Sequence, residues 1–226
     1  MQENPTVWLF DLDNTLHDAD AGIFTLINRA MTGYIAQRLR LSDQAASDLR
    51  QEYWHRYGAT LAGLQIHHPE IDIAEFLRES HPIDEVLTRL HGMPETKNTL
   101  SRLKGRKAVF SNGPSFYVRA VSDALGLTES FDALFGTDDF GLLYKPNPQA
   151  YLNVCRLLDV PPERCVMVDD SADNLHQAKV LGMKTVWFGA KSHALPFIDA
   201  SVSDMAQLAQ YAETLSEHRQ THYNTP

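Results

Sequence analysis

Cysteine is scarce in this chain of 226 residues: the two present, Cys155 and Cys165, do not form a C-x-x-C motif. This count indicates neither a disulfide framework nor a zinc cluster, and we interpret both thiols as small apolar side chains. The ten histidines also lack the zinc-helix pattern, in which two histidines four residues apart enclose a glutamate. A metal site built from sulfur or imidazole is therefore not expected.

Long apolar runs are absent too, since no stretch of about 18 apolar residues occurs. The N-terminus shows no basic-then-apolar signal pattern, so we expect neither a membrane span nor secretion, and we expect a cytoplasmic protein.

Positive charge is in deficit, with a formal net charge of −9. A long nucleic-acid partner is not expected, because binding to a polyanion depends mainly on Lys and Arg. Small anionic substrates are compatible with this negative charge, since one metal ion and one lysine can make the electrostatic field positive at a single site.

Two carboxylates follow the first apolar run of the chain, which reads Val-Trp-Leu-Phe-Asp-Leu-Asp-Asn-Thr-Leu over residues 7–16. Asp11 and Asp13 lie on one side of an extended chain, because side chains alternate with period two. Such close carboxylates repel each other, so a cation between them is expected, and the hard ion Mg²⁺ fits. With the metal bound, one carboxylate can attack phosphorus while the other transfers the proton. The alternative is that residues 11–14 only form a turn.

Polar residues follow apolar runs at three further places. These are Val109-Phe110-Ser111-Asn112, Tyr144-Lys145-Pro146 and Val166-Met167-Val168-Asp169-Asp170-Ser171. In open parallel sheets the carboxyl ends of the strands form the edge where ligands bind. Each place also has a structural alternative, namely a helix cap, a solvated lysine or an acidic helix start. Their order along one acidic chain favours a single functional site.

The residue types at these places suit phosphoryl chemistry. Ser111 offers a hydroxyl group and Asn112 a backbone N–H to a phosphoryl oxygen, while Lys145 offers a positive charge for the nucleophile and the phosphate. Asp169 and Asp170 form a second acidic pair that needs the same metal ion. A nearby acid is the candidate for orienting that pair, Asp173.

At these residues the chain resembles the haloacid dehalogenase-like hydrolase superfamily, whose motifs are Asp-x-Asp-x-Thr, then Ser or Thr, then Lys, then an acidic pair. The resemblance covers nearly the whole chain. It implies that Asp11 is the nucleophile that forms an aspartyl phosphate. It also implies that Asp13 is the general acid and base and offers its backbone carbonyl to Mg²⁺.

The same resemblance implies the residues that bind the phosphoryl group and the metal. Three side chains hold the phosphoryl group and the nucleophile: Thr15, Ser111 and Lys145. The acidic pair Asp169 and Asp170 completes the magnesium site, with Asp170 as the better candidate for a direct ligand. Members that displace halide generally lack the second acid of the first motif, so the presence of Asp13 favours phosphoryl transfer. A phosphomutase would need the same residues.

Helical periodicity dominates the stretch between the first strand and residue 91. Apolar residues recur three or four apart from Ile23 to Ile35, Ser42 and Gly58 bound a second helix, and shorter helices are expected over Asp72–Ser80 and Pro82–Leu90. From Pro94 onward, strands and helices alternate. We therefore predict an α/β fold: a doubly wound, Rossmann-like parallel-sheet core formed by residues 1–17 and 92–226, with a helical cap inserted over residues 18–91.

The cap is expected to close over the strand ends and select the substrate. Candidate selectors are His17, Trp54 and Arg56, because an aromatic ring can stack on a base and an arginine can pair with an anion. The alternative is that Trp54 and Tyr57 form the packed face of a helix. The stretch from Glu52 to Leu64, together with the first motif, resembles the pyrimidine 5′-nucleotidase branch of the superfamily, which removes phosphate from UMP and CMP.

The leading hypothesis is a Mg²⁺-dependent phosphatase of a small phosphorylated metabolite, with a pyrimidine nucleoside monophosphate as the first candidate. The alternatives within the superfamily are a sugar-phosphate or phosphoglycolate phosphatase and a phosphomutase. A phosphoacceptor signalling module is the alternative from another class. Such a module would place its acceptor on a later strand and would have no large helical insertion. The sequence leaves the oligomeric state open.

At the C-terminal end of the chain, we predict a last helix capped by Asp204 and a frayed tail from His218 to Pro226.

Overall fold

A parallel sheet lies at the centre of this computed structural model, which describes residues 6–190 and 194–212. The spatial order of its six strands is β3-β2-β1-β4-β5-β6, and every neighbouring pair is parallel. The strands are β1 Val7–Phe10, β2 Arg106–Phe110, β3 Ala133–Phe135, β4 Cys165–Asp169, β5 Lys184–Phe188 and β6 Ala200–Val202. The order reverses between β1 and β4, and ligands of doubly wound sheets bind at such a switch point. The predicted Rossmann-like core is confirmed.

Six helices separate β1 from β2, and the first five lie within residues 18–91, all of which are described and contain no strand. These five are α1 Ile23–Leu39, α2 Asp43–Tyr57, α3 Thr60–His67, α4 Ile73–Ser80 and α5 Ile83–Leu87. The helices that follow are α6 Thr96–Arg102, α7 Ser115–Ala124, α8 Pro148–Leu157 and α9 Ala172–Val180. Short 3₁₀ turns cover Thr128–Ser130, Thr137–Phe140 and Pro162–Arg164.

Capping residues set the ends of α2 as the sequence predicts. The Ser42 hydroxyl accepts a hydrogen bond from the Ala45 N–H at 3.3 Å, and Gly58 ends the helix with φ of 82°. The prediction missed α3 and β6. The first follows α2 after a break of only two residues, and the second is an edge strand of three residues, too short for a periodic pattern.

The two faces of the sheet bury separate apolar clusters because successive side chains of β1 point in opposite directions. Trp8 and Phe10 belong to one cluster, while Val7 and Leu9 belong to the other. A third cluster lies within the helical segment and contains nine buried residues: Tyr34, Ile35, Ala46, Tyr53, Leu61, Leu64, Ile71, Phe76 and Leu77. The helical segment therefore has an apolar core of its own.

The helical segment leaves and rejoins the sheet at one place. His17 forms isolated β-bridges with Asp13 and with Gly92, so the entering and returning chains lie side by side. The first turns of α1 pack into the core cluster through Ile23, Leu26 and Ile27. This geometry supports a cap over residues 18–91, although the interface shares apolar side chains with the core.

At the C-terminal end, residues 205–212 are helical, and the Asp204 carboxylate accepts a hydrogen bond from the Gln207 N–H at 2.9 Å. The prediction that Asp204 caps a last helix is therefore confirmed. The tail from His218 to Pro226 lies outside the described residues. Among the helices described, none is both long and apolar enough to span a lipid bilayer.

Candidate active site

A buried lysine joins the carboxyl ends of the two central strands. The Lys145 Nζ atom lies 2.8 Å from Oδ1 of Asp11, just after β1, and 2.8 Å from Oδ2 of Asp169, the last residue of β4. The lysine is 1% exposed and Asp169 is completely buried. Burial lowers the pKa of Lys145, but the two carboxylates raise it more, so the net shift is upward. The lysine is therefore charged at neutral pH.

Asn112 holds Lys145 in this position through its side chain. Its Nδ2 donates to the Lys145 carbonyl at 3.0 Å, and its Oδ1 accepts from the Lys145 N–H at 2.7 Å. The next peptide bond, Lys145–Pro146, is cis. The sequence predicted only a backbone contribution of Asn112 to phosphate binding. The amide also aligns the buried lysine, because a side-chain amide can pair with both backbone groups of one residue.

Three carboxylates meet at this edge of the sheet. Oxygen atoms of Asp11, Asp169 and Asp170 lie within 4.8 Å of one another. Burial raises the pKa of Asp11 well above its ordinary value; Lys145 opposes that shift and the neighbouring acids add to it. Burial, with the nearby Asp169, raises the pKa of Asp170 to about 6. Clustered, desolvated carboxylates of this kind are stabilised by a cation.

Asn174 orients Asp169 in the acidic pair. Its Nδ2 lies 3.0 Å from Oδ1 and 3.1 Å from Oδ2 of Asp169, and the Ser171 N–H donates to Oδ1 at 2.8 Å. Both oxygens of Asp169 therefore accept protein hydrogen bonds, which supports Asp170 as the more available ligand. The prediction that Asp173 orients the pair is wrong, because this residue is exposed and Asn174 points inward.

The second acid of the first motif has its own hydrogen bonds. Oδ1 of Asp13 lies 3.0 Å from Nε2 of His17 and 2.5 Å from the hydroxyl of Tyr117. Burial acts to raise the pKa of Asp13, but the hydrogen bonds and the positive field of His17 outweigh it, so the pKa is lowered. Asp13 is not one of the three clustered carboxylates. A metal contact through the Asp13 backbone carbonyl stays a prediction.

Two hydroxyl groups lie at the ends of the central strands. The Thr15 Oγ1 atom is buried and has no hydrogen-bond partner within the described chain. The Ser111 hydroxyl is fully buried and accepts a hydrogen bond from the Gly113 N–H at 3.0 Å. A buried hydroxyl without a partner costs free energy until a ligand oxygen pairs with it. This observation supports the phosphate-binding role of Thr15, which remains a prediction together with that of Ser111.

The three residues predicted to select the substrate occupy different environments. His17 is completely buried and contacts Asp13, so its position supports a role in holding that acid rather than in contacting the substrate. Trp54 is 57% exposed and packs against His55. Arg56 reaches the Glu52 carboxylate at 4.0 Å. These contacts place Trp54 and Arg56 on the surface of α2 and not at the carboxylate cluster.

Sequence reasoning missed two aromatic residues beside Asp13. Tyr117 lies in the first turn of α7, and the ring of His81, at the end of α4, lies 5.3 Å from the Tyr117 ring. Burial raises the pKa of Tyr117 well above its ordinary value, and burial lowers the pKa of His81 to about 4. The sequence feature that could have identified Tyr117 is its position in the first turn of the helix that follows β2 and Ser111.

Fold and site together define a doubly wound α/β protein with a lysine-bridged acidic site at its switch point. A family model described as haloacid dehalogenase-like hydrolase matches residues 6–182. The chain therefore belongs to this hydrolase family, as its motifs predicted. This membership supports the assignment of the buried aspartates and lysine to a catalytic site.

Curated relatives of the chain include phosphatases of small metabolites. The chain is 29% identical to 6-phosphogluconate phosphatase of Escherichia coli over half of its own length and 52% of the relative's, so it spans about half of that enzyme. It is 27% identical to phosphoglycolate phosphatase of Aquifex aeolicus over 79% of its own length and 82% of the relative's. These relatives support a phosphoric monoester hydrolase, whereas a likeness to pyrimidine 5′-nucleotidases is not shown.

Among solved structures, the fold is similar to that of a phosphatase of the same family from Thermococcus onnurineus. The TM-score is 0.65 at 22% identity, with 91% of this chain and 97% of the other chain covered. At this identity the likeness concerns the fold. It extends to the helical segment between β1 and β2, because the match covers nearly the whole of both chains.

Proposed function

We propose that the chain is a Mg²⁺-dependent phosphomonoesterase that forms an aspartyl phosphate on Asp11. The observation that carries this proposal is the position of Lys145, which lies between Asp11 and Asp169 at the switch point of the sheet. A buried charge of this kind can hold a carboxylate in a fixed orientation and stabilise negative charge on an incoming phosphoryl group. Family membership supports hydrolysis as the reaction.

The clustered carboxylates fit a magnesium ion. Asp11, Asp169 and Asp170 supply hard oxygen donors within 4.8 Å of one another. Burial first, and neighbouring acids second, raise the pKa values of Asp11 and Asp170, so a cation would stabilise their ionised forms. These three residues, with the Asp13 carbonyl as the predicted fourth group, would hold the ion. Bound Mg²⁺ would supply charge neutralisation at the phosphoryl oxygens.

The protein's own groups account for the proton and phosphoryl transfers. Asp11 attacks phosphorus in line while Lys145 balances its charge, and Asp13 gives a proton to the departing oxygen. Asp13 then removes a proton from the water that hydrolyses the aspartyl phosphate. Thr15 and Ser111 bind phosphoryl oxygens, consistent with the unpartnered hydroxyl of Thr15. Because Asp13 is present, this site is suited to phosphoryl transfer rather than to displacement of halide.

Phosphorylated sugars and small hydroxy acids are the first substrate class we propose. The support comes from the relatives named 6-phosphogluconate phosphatase and phosphoglycolate phosphatase. The structure also weakens the argument from residues 52–64, because much of that stretch packs within the cap. Tyr53 is buried, and a Cβ atom at Gly63 would lie 2.1 Å from its ring.

Pyrimidine 5′-nucleotides are the second candidate class, and one contact favours keeping it. The end of α2 lies close to the residues that carry Lys145, because a Cβ atom at Gly58 would lie 3.7 Å from the ring of the preceding residue, Tyr144. Tyr144, half-buried, is thus an aromatic residue beside both the cap and Lys145. Such a ring can stack on a base. A phosphomutase uses the same chemistry and differs only in the acceptor of the phosphoryl group.

The test measures phosphate release by purified protein with Mg²⁺ and with the metal chelated. Activity is expected only with Mg²⁺. Asp11→Asn is expected to lower kcat by at least about 10³-fold, because it removes the nucleophile. The matched control is Asp20→Asn, which changes an exposed acid nine residues away and should leave kcat unchanged. Undiminished turnover by Asp11→Asn would overturn the proposal.

A substrate panel separates the candidate classes. It contains 6-phosphogluconate, phosphoglycolate, glyceraldehyde 3-phosphate, UMP and CMP, and kcat/KM is measured for each. The highest values for the sugar and hydroxy-acid phosphates are expected. Highest values for UMP and CMP would instead select the nucleotidase candidate. Transfer of phosphate to a second sugar with little release of free phosphate would indicate a mutase.

A further inference from the structure

Two donors from different elements bind the same oxygen of Asp13. His17 lies just beyond β1, and Tyr117 lies in the first turn of α7, which follows β2. Nε2 of His17 is 3.0 Å and the hydroxyl of Tyr117 is 2.5 Å from Oδ1. Both donors are completely buried, whereas the Asp13 side chain keeps 17% of its surface exposed. The Asp13 side chain is therefore partly accessible, although both of its donors are not.

The direction of these hydrogen bonds follows from the groups involved. Oδ1 of Asp13 carries no hydrogen whether the carboxyl group is ionised or protonated on Oδ2, so the phenolic O–H and the imidazole N–H both donate to Oδ1. Among the hydrogen bonds of residues 6–190 and 194–212, none uses Oδ2 of Asp13. One oxygen is thus fixed by the protein, and the other is available to a ligand.

Tyr117 is itself held firmly by its surroundings. A Cβ atom at Gly113 would lie 2.7 Å from Cδ1 of Tyr117, so the ring fills the space that a larger residue would occupy. The His81 ring packs on the other side, with its centre 5.3 Å away. The start of α7 is fixed by Asp138, which accepts hydrogen bonds from the N–H and the hydroxyl of Ser115, both at 2.6 Å. A rigid donor of this kind can fix the position of its acceptor.

We propose that Tyr117 and His17 are positioning residues that hold Asp13 by Oδ1, so that Oδ2 is the oxygen that exchanges protons during the reaction. In the first step, the proton on Oδ2 passes to the leaving oxygen as its bond to phosphorus breaks and the phosphoryl group moves to Asp11. In the second step, water attacks phosphorus, its proton passes to Oδ2 and the Asp11 carboxylate is restored. This inference rests on the proposed function.

The test compares leaving groups in the variant Tyr117→Phe, which keeps the ring and removes the hydroxyl. We measure kcat/KM, which covers the steps up to phosphoryl transfer, for p-nitrophenyl phosphate and for the alkyl phosphate that is turned over fastest. An alkoxide needs a proton to depart, whereas p-nitrophenolate departs without one. The alkyl ester is therefore expected to lose about 10- to 100-fold in kcat/KM, and the aryl ester clearly less.

A matched control removes a hydroxyl of similar burial outside the site. Tyr34 is buried in the helical segment and donates to Glu75 at 2.8 Å, so Tyr34→Phe should leave the ratio of the two kcat/KM values unchanged. Variants of His17 test the same role independently, in case Tyr117→Phe does not fold. His17→Leu removes the other donor and should shift the ratio in the same direction, while His17→Gln, which keeps a side-chain N–H, should restore part of the alkyl rate.

The possible outcomes separate this inference from the proposed function. Equal losses on both esters, or no loss in Tyr117→Phe and His17→Leu, would overturn the positioning role while leaving the phosphatase assignment intact. A wild-type protein that releases no phosphate from either ester would contradict the proposed function and this inference with it. A ratio that also changes in Tyr34→Phe would show that the leaving-group effect does not come from Asp13.

Discussion

In the α/β core, buried polar side chains converge on the ends of β1 and β4, whereas in the helical segment between residues 18 and 91 they pack against one another. Lys145 bridges Asp11 and Asp169 in the core. In the helical segment, Tyr53 stacks on His67 with ring centres 5.5 Å apart, and its hydroxyl lies 2.9 Å from His68. The core thus gathers charge at one point, while the helical segment uses its aromatic residues for packing.

This difference explains why the two regions respond differently to substitution. Charged groups in the core are desolvated, so each depends on its partner. Aromatic residues in the helical segment contribute mainly through the shape of their packing, so steric changes matter there. Substitutions in each region therefore separate the two kinds of interaction.

Lys145→Met should have the largest effect on stability. It leaves the carboxylates of Asp11 and Asp169 buried without their cation, so the free energy of unfolding should fall by about 3–5 kcal/mol, measured by urea denaturation at neutral pH without Mg²⁺. Lys179→Met is the matched control, because Lys179 pairs with Asp199 at the surface and is 36% exposed. Its expected loss is at most about 1 kcal/mol. Equal losses would show that the buried bridge has no special energetic role.

Gly63→Ala should disturb the packing of the helical segment. The new Cβ atom would lie 2.1 Å from the Tyr53 ring, so we expect a loss of about 1–3 kcal/mol in the free energy of unfolding. Gly33→Ala, on α1, is the control because nothing lies within 4 Å of its added Cβ atom. It should stabilise the protein by about 0.5–1 kcal/mol through helix propensity. A stable Gly63→Ala protein would refute the close packing of α2 and α3.

Trp54→Ala and Arg56→Ala should have the smallest effects. Both side chains lie on the surface of α2, so each substitution should change the free energy of unfolding by no more than about 0.5 kcal/mol. The kcat/KM values on the substrate panel should also stay close to those of the wild type. A selective loss on UMP and CMP in either variant would restore the original hypothesis that these residues select a nucleotide base.

The chemistry of the core could be predicted from sequence because it follows regular strand geometry. The acids after β1 and β4 and the serine after β2 each end an apolar run, and parallel strands bring such ends to one edge. The contacts of Asn112, Asn174 and Tyr117 were not predicted. Each depends on how a loop or the first turn of a helix is oriented, and Asn174 differs from the predicted Asp173 by one helical position.

The substrate-selecting residues show the opposite case. Trp54 and Tyr57 have the helical spacing that is typical of a packed face, yet Trp54 points to solvent and Tyr53 occupies the interior. The aromatic cluster with His67 and His68 forms only when α3 folds back against α2. Because α3 was not predicted, the face of α2 that packs inward could not be assigned.

The order of motifs along the chain determined the class of fold, the family and the residues at the ends of the strands, because hydrophobic periodicity and strand ends are local properties. The tertiary structure decided which oxygen of Asp13 accepts hydrogen bonds, which side chain aligns Lys145, and which face of α2 is buried. These features depend on contacts between residues far apart in sequence, such as Asp13 with Tyr117 and Asn112 with Lys145. Their distances are fixed only when the sheet and the helical segment pack together.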